Sequence, residues 1–362
     1  MRVVFSNTAS SWGGGEKWMF TAGKGLRCRG HDVFYAPKRN SPLWLKAQGN
    51  DFEILDFNIR SDFSPYRTLK IARLLAKIDA DVLVLNFNKD VRVAGAAAKL
   101  AKTPFVCARH GVKLIKDKLR YRATMSLVDK IITNTRSIKN EYIQYDWLDA
   151  EKVEVIHNGI ALPNLDELNK IDLNETYNLP DDYFVFALAG RLAYQKGFDV
   201  LIDGMEQLRK EKIAALIAGK GPLENDLKAM ITEKNLEKKV KLIGFVERPL
   251  DFLYSSDAVA LPSRYEGLPN IVMEAMALGK VVVASSVNGV PELIEDGKEG
   301  FLVPSEDAKT LAEKMRYIAS KYKDVEYLGK NARAKIQNEF TIPKMIDRLE
   351  MLFQSKLRPE RY

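Results

Sequence analysis

The chain has 362 residues, 46% of them hydrophobic and 29% charged, with a formal net charge of +8. That length suggests about two domains, and no apolar run approaches the roughly 18 residues of a membrane span. Two cysteines, Cys28 and Cys107, at no metal-type spacing exclude a disulfide framework and read as reduced thiols of a cytosolic protein. The charge is uneven: residues 1–162 hold 27 Lys/Arg against 16 Asp/Glu, whereas residues 163–362 hold 29 against 32. The excess positive charge therefore belongs to the first half. It points to an anionic partner there, such as phospholipid, a phosphorylated acceptor or nucleic acid, with plain solubility as the alternative.

Met1–Thr8 is too short and too soon polar for a signal peptide and reads as a first strand. Strands are expected at Arg2–Ser6, Asp32–Ala36, Phe52–Leu55, Val82–Asn86, Phe105–Ala108, Lys130–Asn134 and Val153–His157. Helical patterns fall between them at Glu16–Arg29, Tyr66–Lys77 and Val91–Ala101, which is the alternation of a parallel sheet with crossover helices. Polar Asn164–Asn178 reads as a linker. A second set of strands follows at Phe184–Ala189, Ala214–Ala218, Val240–Ile243, Ala258–Leu261, Val281–Ala284 and Phe301–Val303. Its helices are expected at Gly197–Lys210, Pro222–Lys234, Asn270–Leu278 and Ala308–Ala319, and Met345–Leu357 is an amphipathic last helix. Two Rossmann-like α/β domains result, 1–163 and 164–340.

The candidate chemistry lies beyond the carboxyl ends of these strands, where open parallel sheets bind ligands. In Ser263-Arg264-Tyr265-Glu266-Gly267-Leu268-Pro269-Asn270-Ile271-Val272-Met273-Glu274 a loop becomes a helix. Pro269 suits the first helical turn, where a missing N–H costs nothing. The amides of Asn270, Ile271 and Val272 are then left open at a partly positive helix end, which is an anion site. Glu266 sits just before that end and Glu274 about one turn inside it. In Ala189-Gly190-Arg191-Leu192-Ala193-Tyr194-Gln195-Lys196-Gly197, Arg191 and Lys196 bracket a strand-end loop. A guanidinium fork and an ammonium there can grip phosphate oxygens and stabilise a departing diphosphate.

In the first half, Trp12-Gly13-Gly14-Gly15-Glu16-Lys17 follows the first strand. Consecutive glycines permit positive φ and close backbone approach to a ligand. The spelling is not the G-x-G-x-x-G dinucleotide fingerprint, which argues against an oxidoreductase. His110 stands at the end of the strand Phe105–Ala108, whereas His31 and His157 read as structural. Residues 109–122 carry six Lys/Arg and one Asp, interleaved with Leu114, Ile115, Leu119 and Tyr121. This stretch suits an anionic membrane surface, a phosphorylated acceptor or a merely solvated basic helix. No nucleic-acid fold accompanies the charge. Asp79-Ala80-Asp81 has an Asp-x-Asp spelling but lies at the amino end of its strand, so no metal site is expected.

The two glutamates, with their Pro-Ser-x-x-Glu-Gly-Leu-Pro-Asn and Glu-Ala-Met-Ala surroundings, resemble the E-x7-E signature of the family-4 retaining glycosyltransferases of GT-B fold. The Gly-Arg-x5-Gly-x-Asp pattern around Arg191 resembles that family's diphosphate-binding pair. The likeness covers nearly the whole chain. It implies two Rossmann-like domains facing across a cleft, with the last helix (341–362) crossing back to the first, acceptor-side domain. It further implies transfer of a sugar from a nucleotide diphosphate, a UDP-sugar being favoured, to a hydroxyl with retained configuration. By resemblance Arg191 and Lys196 hold the diphosphate, Glu274 the ribose, and Glu266 and His110 the sugar. Gly13, Gly14 and Gly15 close over the donor, Gly190 and Gly219 lie near the nucleotide, and Phe245 and Val246 meet the base. Gly267, Leu268, Pro269, Asn270 and Ile271 supply backbone around the sugar and phosphates.

The basic first half, with residues 109–122 as a peripheral contact at the inner face of the membrane, suggests a lipid-linked or phosphorylated acceptor. Cell-envelope polysaccharide, lipopolysaccharide or glycolipid synthesis is the setting that this implies. A soluble acceptor, or a non-catalytic nucleotide-sugar-binding regulator, is the alternative. No cofactor and no nucleic acid are expected. One departure from the family is Asn158-Gly159-Ile160-Ala161, where Asp usually stands last.

Overall fold

A computed structural model describes residues 1–355 and 357. The chain divides into two compact units, one formed by Met1–Gly159 with the segment from Ile342 onward, the other by Ile160–Thr341.

In the first unit, strands β1 (Arg2–Asn7), β2 (Asp32–Pro37), β3 (Glu53–Ile54), β4 (Val82–Leu85), β5 (Phe105–His110), β6 (Lys130–Thr133) and β7 (Val153–Val155) form one parallel sheet. Its order is β3-β2-β1-β4-β5-β6-β7. Successive side chains on a strand point to opposite faces. Val4, Leu83 and Val106 accordingly join one apolar cluster, with Ile71 and Leu75 of the helix Pro65–Lys77. Val3, Phe5, Val84 and Phe105 join another, with Trp18, Met19 and Leu26 of the helix Gly14–Cys28.

The last helix, Ile342–Gln354, belongs to this second cluster. Met345, Ile346, Leu349 and Phe353 are buried there at i, i+1, i+4 and i+8, and each contributes about 1.5–3 kcal/mol. Its polar face is tied down as well. Glu350 accepts from both Arg29 and His31, and Asp347 from Arg29 at 2.6 Å. Arg348 meets Nδ1 of His157 at 3.2 Å. His31 and His157 are thus structural ties for this helix. The end of the predicted helix, residues 356 and 358–362, lies outside the described residues.

In the second unit, β8 (Phe184–Ala189), β9 (Ile213–Ala218), β10 (Val240–Gly244), β11 (Ala258–Leu261), β12 (Val281–Ser285) and β13 (Phe301–Val303) form a parallel sheet. Here the order is β10-β9-β8-β11-β12-β13. Both faces are again covered. Val185, Ala187 and Val259 pack with Val272, Met273 and Met276 on one side. Phe186, Leu188 and Ala260 pack with Leu201, Met205 and Leu311 on the other.

Several expectations are corrected. Asn164–Asn178 is no loose linker: it forms the short helical turns Leu165–Glu167 and Leu173–Thr176, and Leu173 is buried in the core of the second unit. The helix expected at Val91–Ala101 starts at Asn88, widens to π geometry over Val91–Gly95 and resumes at Ala96–Ala101. An unforeseen 18-residue helix, Tyr322–Glu339, carries seven charged residues, and its apolar Val325, Leu328, Ala332 and Ile336 form a narrow buried stripe.

The basic stretch 109–122 is not one amphipathic helix. Its residues 111–118 form a loop and a short helix begins at Leu119, while Ile115 and Tyr121 are consumed by the core. Asp81 accepts from the backbone N–H of Arg2 at 2.8 Å, so it caps the amino end of β1. Among the described residues no helix is long and apolar enough to cross a membrane.

Candidate functional site

In the second unit, strand order reverses between the neighbours β8 and β11, and the loops leaving their carboxyl ends carry the predicted motifs. Pro262–Pro269 leaves β11, and Gly190–Gly197 leaves β8. Two features press the loops together. Gly197 has φ +63°, and a Cβ there would sit 2.0 Å from the carbonyl oxygen of Pro262. Only glycine meets both demands. Gly219, after β9, has φ +147°, and its Cβ would lie 1.8 Å from the carbonyl oxygen of Gly190.

Across this seam Lys196 Nζ donates to Glu266 Oε1 at 2.6 Å, and Ser263 Oγ donates to the same oxygen at 2.7 Å. The two charged side chains are 17% and 6% exposed, so they form a shielded pair. Arg264, overlooked in the sequence, locks the seam. Its guanidinium grips both carboxylate oxygens of Asp199 at 2.9 and 2.6 Å and the carbonyl of Tyr194 at 2.8 Å. The hydrogen bond to Asp199 outweighs burial and holds the Arg264 guanidinium above its ordinary range. The signal was available, since Asp199 ends the Gly-Arg-x5-Gly-x-Asp pattern and Arg264 precedes Tyr265-Glu266. Arg191 is exposed and has no ion-pair partner among the described residues.

The helix after β11 runs from Asn270 to Ala277 with Pro269 as its extended N-cap (φ −72°, ψ 116°) rather than its first turn. The Pro269 carbonyl takes the amide of Val272 at 3.2 Å, which removes that donor from the expected open set. The amides of Asn270 and Ile271 have no acceptor among the described residues. Glu274 is half-buried on this helix, with Gly267 half-buried before it. Leu268 is a core side chain and leaves only its backbone for other work. Phe245 is 70% exposed just after β10, and Val246 packs partly against the core.

In the first unit, β1 and β4 flank the corresponding reversal. The Gly13–Gly15 run is not a left-handed loop: Gly13 is the extended N-cap (φ −147°), and Gly14 and Gly15 already begin the helix. A Cβ at 15 would lie 2.8 Å from the Asn86 side-chain amide nitrogen, so a larger residue there would displace that side chain. Glu16, buried, accepts from Asn7 Nδ2 at 2.8 Å and from the Gly13 N–H at 2.9 Å.

His110 is fully buried at the end of β5. Its Nδ1 meets the Tyr142 hydroxyl at 3.0 Å, and its Nε2 has no partner among the described residues. Burial, reinforced by the neighbouring Arg109 charge, pushes its pKa down to about 3, so the ring is neutral. Arg109, another residue missed in the sequence, lies 5.0 Å over the Trp18 ring and donates to Asn158 at 3.3 Å. Asp90, behind β4, accepts from the Thr8 N–H at 3.2 Å, and burial pushes its pKa up to about 6. Among the described residues no three His, Cys, Asp or Glu groups gather as they would around a metal ion.

Residues 169–335 match the family model described as glycosyl transferases group 1, and residues 12–162 match that of glycosyltransferase family 4. Together with the two doubly wound units, these matches define a glycosyltransferase of GT-B fold. Among characterised relatives, the chain is 28% identical to UDP-Gal:alpha-D-GlcNAc-diphosphoundecaprenol alpha-1,3-galactosyltransferase of Escherichia coli, over 86% of this chain and 88% of that one. It is 36% identical to the amylovoran biosynthesis glycosyltransferase AmsK of Erwinia amylovora over 53% of its own length, spanning about half (48%) of that relative. The crystal structure of Anabaena Alr3699/HepE in complex with UDP superposes with a TM-score of 0.86 at 21% identity, over 98% of this chain and all of that one, which shows a shared fold.

Proposed function

We propose that the protein transfers a sugar from a UDP-sugar to a hydroxyl of a lipid-linked, phosphate-bearing acceptor in cell-envelope polysaccharide synthesis, with retention of anomeric configuration. The observation that carries this reading is the convergence, at the ends of β8 and β11, of Arg191, the Lys196–Glu266 pair and the free amides of Asn270 and Ile271. A free guanidinium, an ammonium and a helix start form a cradle for a diphosphate. The Escherichia coli relative is named for a UDP-galactose donor and a diphosphoundecaprenol-linked acceptor, and the Anabaena neighbour was crystallised with UDP.

In this reading Arg191, Lys196 and the two amides stabilise charge on the departing diphosphate, without a metal ion. Glu274 holds the ribose. Glu266 fixes Lys196 and orients the sugar, while His110, buried and neutral, does not serve as an acid. The exposed face of Phe245 and the backbone at Val246 receive the base. The acceptor hydroxyl attacks from the face that the diphosphate leaves and passes its proton to a leaving phosphate oxygen.

Calorimetric titration with UDP, GDP and ADP in EDTA tests the donor assignment. UDP is expected to bind, and Lys196→Ala to weaken it at least tenfold. Preference for GDP or ADP, or binding only with added metal, would overturn the donor or the metal-independent part respectively. An anomeric assignment of the product by NMR tests retention.

A further inference from the structure

We propose that a second anion pocket, wholly within the first unit, receives the diphosphate of the acceptor; this rests on the transferase reading above. A cavity of about 1070 Å³ opens beyond the carboxyl ends of β1 to β4, bordered by residues of the segments that follow each strand. Thr8 follows β1, Lys38 and Arg39 follow β2, Arg60 closes the segment after β3, and Lys89 follows β4. Three of these segments thus deliver four cations, Lys38 and Arg39 from one turn, to one concavity beside the β1–β4 reversal, the place where parallel sheets bind ligands.

The charges are uncompensated. None of the four has a carboxylate within ion-pair distance among the described residues, although most cations with described ion pairs elsewhere lie within about 3 Å of an acid. Among the described residues Lys38 Nζ donates only to the Ser10 hydroxyl, at 2.6 Å, and Arg60 Nε only to the side-chain Oδ1 of Asn58, at 3.0 Å. The one acidic lining residue, Asp56, is neutralised by Lys70 at 3.0 Å. The floor is apolar, with Phe52, Leu55 and Phe57 in the core, and the half-buried Trp44 gives one wall a flat aromatic surface suited to a sugar ring.

Uncancelled cations over an apolar floor select a compact, multiply charged anion. Two guanidinium forks and two ammonium groups match a diphosphate ester, whose oxygens take forked and single contacts. This pocket gathers four of the 27 Lys/Arg of the first half.

The probe is a decyl ester of α-N-acetylglucosaminyl diphosphate, titrated calorimetrically with UDP saturating so that the donor site is filled. The ester is expected to bind, to weaken at least tenfold in Arg39→Glu/Arg60→Glu and separately in Lys38→Ala/Lys89→Ala, and to weaken steeply with salt. Inorganic pyrophosphate should compete, and neutral N-acetylglucosamine should not. Ester affinity within twofold of wild type in both double variants, or equal competition by the neutral sugar, would overturn the proposal. So would variants that lose binding to phosphatidylglycerol vesicles yet keep the ester, since the charges would then serve a membrane surface. UDP binding, measured in the same proteins, reports folding and separates the two readings. Wild type that takes the ester but no UDP refutes the donor assignment alone; UDP binding with an ester that ignores the cations refutes the pocket alone.

Discussion

Lys196→Ala and Glu266→Gln should separate two roles that one ion pair performs. Glu266 is 6% exposed and its Oε1 has two donors, Lys196 and Ser263. Removing the ammonium strands a carboxylate in a shielded place, and breaking such a pair costs about 3–5 kcal/mol when fully buried. With Lys196 itself 17% exposed, water partly replaces it, so about 2–3 kcal/mol is expected in denaturant unfolding. Glu266→Gln instead leaves an ammonium that can hydrate and keeps an acceptor for Ser263, so its cost should be about 1 kcal/mol. The ligand effects run in opposite directions. Lys196→Ala loses a charge-assisted contact to the diphosphate, about 1.5–3 kcal/mol, or roughly 10- to 150-fold in UDP affinity. Glu266→Gln removes the carboxylate that competes for Lys196, so UDP should bind at least as tightly while sugar transfer falls. Calorimetry and a coupled UDP-release assay read both. Equal loss of UDP affinity in the two variants would refute the reasoning, because the pair would then be one structural unit with no ligand preference.

Three further outcomes follow from titrating groups. His110, held neutral with its pKa down near 3, should show no imidazole protonation by NMR from pH 8 to 5. An unfolded histidine protonates near pH 6.5, so below that pH the fold loses stability by up to about 1.4 kcal/mol per pH unit, a slope that His110→Gln should abolish in unfolding measurements. Asp90, with its pKa raised by burial to about 6, ionises at a cost that grows from the unfolded value near 4 and is complete above 6. Asp90→Asn should therefore stabilise the protein by roughly 2–3 kcal/mol at pH 8 and by nothing near pH 4. For Glu350, burial works to raise the pKa, but the hydrogen bonds from Arg29 and His31 prevail and hold it low. Its stabilisation is present above the unfolded value near 4.3 and fades as pH falls through the lower folded value. Glu350→Gln should cost about 1 kcal/mol at pH 7, and thermal melts should converge with wild type in acid.

The sequence by itself determined the α/β class and most strands, because β-branched runs between helical periods admit few other arrangements. Phe184–Ala189, Ala258–Leu261 and Phe301–Val303 have the bounds expected of them. It also placed the Arg191–Lys196 and Glu266–Glu274 segments at strand ends, since each motif directly follows an apolar run.

What it left open depended on contacts distant in sequence. The pairing of Lys196 with Glu266 spans 70 residues and exists because Gly197 lets one loop close on Pro262. Val272 gives up its amide to a capping geometry, with Pro269 extended, that composition does not encode. Ile115 and Tyr121 resemble a membrane stripe in one dimension, yet the sheet draws them into its core. The uncancelled cations at Lys38, Arg39, Arg60 and Lys89 lie on three separate segments, scattered among the 27 Lys/Arg of the first half. Periodicity and local propensity are short-range properties written in the chain. Which charges meet, and which are left without a partner, is decided only when parallel strands bring their carboxyl ends to one edge.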